Sequence, residues 1–165
     1  MEKGFKNWSE FYQKINLVFN AIIAFSLLPF GWVYLELERG VKRPPLLEGT
    51  GLMVLSGAFF VLIVLLLWRA DKTYKRDLPA ISRALPLGEK LMAYYQLQVR
   101  KFIWFEGAAV LALVITFVSK NFLFVLVYIF ILFLFSLGRP KYDRVVEQLR
   151  LTKDEQKLLE TDVEL

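Results

Sequence analysis

Four long apolar runs alternate with charged segments along the chain, and this alternation governs most of what the sequence says. No charged residue occurs from Ile15 to Leu35, from Gly49 to Trp68, or from Asn121 to Gly138; the remaining run, Phe102 to Ser119, contains one acid, Glu106. A helix rises about 1.5 Å per residue and the hydrocarbon core of a bilayer is about 30 Å thick, so ~20 apolar residues cross it. Somewhat shorter runs cross with anchoring or local thinning. The pattern therefore predicts an all-α integral membrane fold, with four transmembrane helices at about 15–35, 49–68, 102–119 and 121–138 forming two hairpins within a 15–138 bundle.

The segments between and around the runs carry their own periodicity. Residues 1–14 place Phe5, Trp8, Phe11 and Tyr12 at roughly helical spacing among Lys and Glu, which predicts a short amphipathic helix lying on the membrane surface. Pro29-Phe30-Gly31, near the far end of the first run, favours a kink. Arg39-Gly40 and Lys42-Arg43-Pro44-Pro45 make a turn-rich connection to the second run. Segment 69–101 is the largest one outside the lipid, interrupted by Pro79, Pro86 and Gly88. No helix breaker follows from Glu89 until well inside the third run, so one long helix is expected whose first turns project from the membrane. Ser119-Lys120-Asn121 leaves room only for a tight hairpin.

After Pro140 the tail, 139–165, places Val145, Val146, Leu149 and Leu151 as an amphipathic helix. Thr152-Lys153-Asp154-Glu155 then has capping-box spacing, in which hydroxyl and carboxylate each satisfy a free amide, opening a last helix from Lys153 to about Glu160. Helices this short are not stable alone, so the tail must dock on something. A faint repeat also runs through the chain: Tyr74-Lys75-Arg76 with Leu85 to Leu91 resembles Tyr142-Asp143-Arg144 with Leu151 to Leu158. It would relate two hairpin units, each followed by a surface helix, about an axis along the membrane normal.

Composition strengthens the membrane reading: the 165 residues are 56% hydrophobic and 16% aromatic. Charge sets the orientation, because Lys- and Arg-rich segments are retained in the cytoplasm. All but four of the 21 Lys and Arg residues (the exceptions are Arg39, Lys42, Arg43 and Lys120) fall in 1–14, 69–101 or the tail. A multi-pass protein of the cytoplasmic (inner) membrane is expected, N-in and C-in. Trp8, Trp32, Trp68 and Trp104 each fall near a span end, where an indole prefers the headgroup level. The excess of bases in 69–101 suits anionic headgroups, and nucleic acid is not expected as a partner. Cysteine and histidine are absent, which removes disulfides, thiolate chemistry, imidazole bases and the common ligands of zinc, haem and iron–sulfur clusters. No cofactor, metal site or catalytic set is expected.

Candidate chemistry reduces to a few positions. Glu106 is the one charged residue within a span, and such residues are candidates for proton or cation sites because a charge in hydrocarbon is costly. It also lies little more than a turn from Lys101, where a carboxylate can reach the interface or meet Lys14 or Arg69. Asn16 and Asn20, one turn apart, can line a polar path or bond to a neighbouring helix. Ala108, Ala112 and Thr116 form a small-residue stripe in the third run, and Gly51, Ser56 and Gly57 a looser one in the second; both are expected in the bundle interior. The fourth run is apolar on all sides except at Tyr128. The leading expectation is a non-catalytic accessory or structural subunit that assembles with other membrane proteins or with itself. The alternative is a small oligomeric transporter or channel using Glu106.

Overall fold

The computed structural model describes residues 4–38, 49–81 and 84–161, and the described residues fold into six α-helices. The expected connection from Arg39 to Pro45 lies outside them. Helix α1 spans Trp8–Glu38, α2 Gly49–Asp77, α3 Leu87–Ser119, α4 Leu123–Leu137, α5 Tyr142–Leu149 and α6 Lys153–Glu160. The regions around α1, α2 and α3 are long and apolar enough to cross a membrane; α4 with α5 makes a fourth if that pair, bent by 73°, is one span. Alone, the 15 residues of α4 reach about 22 Å, short of the ~30 Å hydrocarbon core.

Helix α3 is the hub. It has more buried residues than any other helix, among them Leu91, Tyr94, Phe102, Ala108, Ala112, Ile115 and Thr116, along one broad face. Helices α1, α2 and α4 each pack against it. Between apolar spans no hydrophobic driving force exists, so close packing and internal hydrogen bonds must hold them. The small side chains of Ala108, Ala109 and Ala112, all buried, let neighbours approach α3. Thr116 and Ser119 remain buried by returning their hydroxyls to the carbonyls one turn back, Ala112 and Ile115, at 2.6 Å each.

Each outer helix offers α3 one stripe. On α1 it runs Phe11, Ile15, Phe19, Ser26 and Val33, and on α4 Phe124, Val125, Tyr128, Ile131 and Phe135. The fourth run, uniformly apolar in sequence, is thus two-sided, with Leu126, Ile129, Phe130 and Phe133 exposed. Helix α1 continues through Pro29 without interruption. The turn from α3 to α4 is as tight as expected: Lys120 takes the left-handed conformation (φ 55°) and Asn121 Oδ1 accepts the Leu123 amide at 2.9 Å.

The N-terminal segment from Phe5 and the tail helices meet at the opposite end of the bundle from that turn. Phe5, Phe11, Leu91, Tyr94, Val145, Leu149 and Leu159 belong to one buried cluster. Burying each such side chain contributes roughly 1.5–3 kcal/mol where water is the alternative. The amphipathic N-terminal segment, expected on the membrane surface and running into the first span, is continuous with α1 from Trp8, and Phe5 and Phe11 belong to this cluster. It reaches the start of α3 through a glycine contact: a Cβ on Gly88 would stand 2.6 Å from the Phe5 carbonyl, and the Phe5 amide bonds the Gly88 carbonyl at 3.2 Å.

The tail also finds its docking surface within the chain. Helix α6 has the expected capping box, Thr152 with Glu155, and Glu155 forms an ion pair with Lys90 of α3, whose side chain is 6% exposed. Helix α2 is followed by a single 3-10 turn, Leu78–Ala80, and α4 by α5 and α6.

Candidate functional site

The bundle places three polar side chains together between spans. Ser26 of α1 and Tyr128 of α4, both fully buried, share a hydrogen bond of 2.9 Å. The Glu106 carboxyl of α3 lies beside the Ser26 hydroxyl. Its Oε1 atom is buried with no hydrogen-bond partner among the described residues. Phe30 stacks on the Tyr128 ring at 4.7 Å and closes one side of the group. Expected contacts of Glu106 with Lys14 or Arg69 are replaced by this arrangement: Lys14 bonds Glu10 at 2.8 Å, and Arg69 stands over the Trp104 ring at 5.8 Å. A hydroxyl that both donates and accepts, a phenol and a carboxyl form a set able to hold a proton or a small cation.

Asn16 and Asn20 do not join this group. The Asn16 amide donates to the Tyr12 carbonyl at 2.9 Å, and its oxygen accepts from Arg139 at 3.3 Å. Asn20 is exposed on α1. Of the small-residue positions, Ala108, Ala112 and Thr116 lie fully buried on α3. Gly57 on α2 is exposed, with nothing within 4 Å of where a Cβ would stand, as is Gly51.

A second polar group sits at the termini end. The hydroxyls of Tyr74 (α2) and Tyr94 (α3) both donate to Gln148 Oε1 (α5) at 2.8 Å. Both accept from Gln98 Nε2, at 3.1 and 2.7 Å. Gln98 is buried and its Oε1 has no hydrogen-bond partner among the described residues. Burial, with the neighbouring Tyr94 adding to it, raises the Tyr74 phenol far above its ordinary range, and burial raises Tyr94 too. Both therefore stay neutral donors, and the network ties α5 to the α2–α3 pair. Lys101, half-buried over the Tyr74 ring at 4.5 Å, is lowered by burial despite Asp71 nearby. A cleft of about 580 Å³ opens beside the network, lined by Pro79, Arg144, Glu147, Gln148 and Arg150.

No protein-family model, curated protein or solved structure matches this chain. The sites therefore rest on their own chemistry. Among the described residues no group of three or more His, Cys, Asp or Glu side chains is arranged to hold a metal ion. Ser26 carries no sequence signal, because one serine in a span is ordinary and only the packing of α1 on α3 brings it to Glu106. The tyrosine–glutamine network left a partial trace: Ala70 and Tyr74 share a face of α2, and Tyr94 and Gln98 are one turn apart on α3.

Proposed function

We propose that the chain is a non-catalytic subunit of the cytoplasmic membrane, crossing it four times with both ends inside, and that it assembles with a larger membrane protein complex through α2. The observation that carries this reading is the bareness of α2. Within its apolar part only Ile63 is buried, whereas Met53, Val54, Phe60, Val61 and Leu65 are exposed. Helix α2 rests on α3 and leaves most of its circumference to lipid or to another protein. Gly57, without neighbours, offers a partner helix the close approach that small residues allow. The test is extraction from the native membrane in mild detergent, followed by mass spectrometry of the eluted particle. Stoichiometric foreign subunits are expected, and Gly57→Trp should release them without altering the helix content of this chain. A monomer that elutes unchanged with either residue would sink the reading.

A second reading is favoured by one observation, the unpartnered Glu106 oxygen beside Ser26 and Tyr128. It takes the chain as a small oligomeric transporter or channel using Glu106 as a proton or cation site. In reconstituted vesicles this predicts a flux that Glu106→Gln abolishes. A homo-oligomer with such a flux would displace the subunit reading, and vesicles without flux would remove the transporter.

A further inference from the structure

A cleft of about 410 Å³ lies between α2 and α3 where both helices leave their apolar stretches. Four cations line it: Arg69, Lys72 and Arg76 from α2, and Arg100 from α3. The spacing of 69, 72 and 76 puts three of them on one helical face, one turn apart. Asp77 is the carboxylate that engages this set, and it does so at one end, bonding Arg76 at 2.8 Å and Arg100 at 3.3 Å. The other two cations have no carboxylate partner among the described residues. Lys72 stands over the Trp68 ring at 4.5 Å and Arg69 over the Trp104 ring at 5.8 Å. The two tryptophans line the same cleft, with Thr73 adding a hydroxyl between them.

We propose that this cleft binds the phosphate headgroup of an anionic glycerophospholipid, with Arg69 and Lys72 as the principal phosphate contacts and Trp68 and Trp104 marking the glycerol level. Arg donates from a planar fork and Lys as a point charge, and both are standard phosphate partners. Basic pockets between spans near a membrane surface suit anionic headgroups for this reason. The surface beyond the cleft favours a lipid over free phosphate. Going from Trp68 deeper into the apolar stretch, Val61, Val64 and Leu65 of α2 are exposed, and Gly107 of α3 is open, with nothing within 4 Å of where its Cβ would be. An acyl chain attached to the phosphate would continue along that furrow. The inference does not depend on the subunit reading: the phosphate site lies at the exit of α2, and only the acyl furrow shares Val61 and Leu65 with the bare face.

The experiment is native mass spectrometry of the purified full chain in a neutral detergent, with phosphatidylglycerol and phosphatidylcholine supplied in equal amounts. The wild-type chain should retain phosphatidylglycerol in preference. Arg69→Gln with Lys72→Gln should lower that preference by about thirtyfold, the combined effect of two near-surface bases. The charge-keeping swap Arg69→Lys with Lys72→Arg should retain most of it, and Lys153→Gln with Lys157→Gln, on α6 away from the cleft, should leave it unchanged. Circular dichroism of each variant separates a binding loss from a folding loss, and the charge-keeping pair still tests the site if the glutamine pair misfolds. Equal retention of the two lipids by the wild type, or an equal loss from the α6 pair, would overturn the proposal. Glycerol phosphate binding as tightly as the lipid, and sensitive to the same glutamine pair, would overturn the lipid assignment.

Discussion

Among the described residues, Lys120 (φ 55°) and Arg150 (φ 51°) hold left-handed backbone without being glycine, and both end helices. Arg150 closes α5 in a Schellman arrangement: its amide bonds the Glu147 carbonyl at 3.2 Å and the Leu151 amide bonds that of Val146 at 3.1 Å. Leu151 is thereby turned into the buried cluster. An L-residue with a Cβ is strained in this conformation by about 1 kcal/mol, and glycine is not. Arg150→Gly should therefore stabilise the tail by up to about 1 kcal/mol, read as slower hydrogen exchange in α5 and α6; faster exchange would show that the Arg150 side chain matters more than its backbone. At this scale the sequence was only partly legible. The Thr152–Glu155 capping box could be read because its chemistry is local. Glu106 and Tyr128 stood out singly, but their grouping with Ser26 could not be read, because the three come from different helices.

At the scale of elements, apolar runs were legible because lipid demands continuous hydrophobic length. Where lipid stops, legibility fell. Helix α2 extends to Asp77, nine residues past Trp68, whereas the apolar run by itself ends at Trp68, where the charges Arg69, Lys72, Lys75 and Arg76 begin. The absence of any breaker before Pro79 and the pairing of Ala70 with Tyr74 were the available signals. The junction of α3 with α6 allows a prediction with a definite sign. Burial alone would raise the Glu155 carboxyl, but hydrogen bonds from Lys90 and the Thr152 amide outweigh it and hold the group below its ordinary value of about 4.5. A carboxylate lowered on folding adds stability that is present above its unfolded pKa and lost as pH falls through its folded one. Docking of α6 should thus be constant near neutral pH and weaken progressively below about 4.5. Glu155→Gln should remove that dependence and cost roughly 3 kcal/mol at neutral pH, because it strands the buried Lys90 ammonium. Amide exchange in α6, followed across pH in both chains, measures this. An unchanged pH profile in the variant would assign the effect to other groups.

For the whole molecule, the cluster at the termini end constrains topology independently of charge counting. Phe5, Leu87, Leu91, Val145 and Leu159 pack into one buried group, so the N-terminal segment, the start of α3 and the tail must share a membrane side. In the proposed topology that side is the cytoplasm, where Lys- and Arg-rich segments are retained. Reporters fused at residue 1, within 72–90 and at residue 165 should all read cytoplasmic, and one external signal among them would break both arguments. The same packing changes what removal of the tail should do. From sequence, two short amphipathic helices looked like a surface awaiting a partner; in the fold their apolar faces are spent on α1 and α3, with Val145 and Leu159 fully buried. Deleting 139–165 should therefore damage this chain before it damages any assembly. It uncovers Phe11, Leu91 and Tyr94, takes away the Gln148 acceptor shared by Tyr74 and Tyr94, and leaves Lys90 without Glu155. The expected readout is rapid proteolysis around residues 84–98 in the truncated protein, with the apolar spans still protected by detergent or lipid. If the truncated chain resists protease as well as the full one while losing its associated subunits, the tail serves assembly, and the α2 face is not where this protein meets its complex.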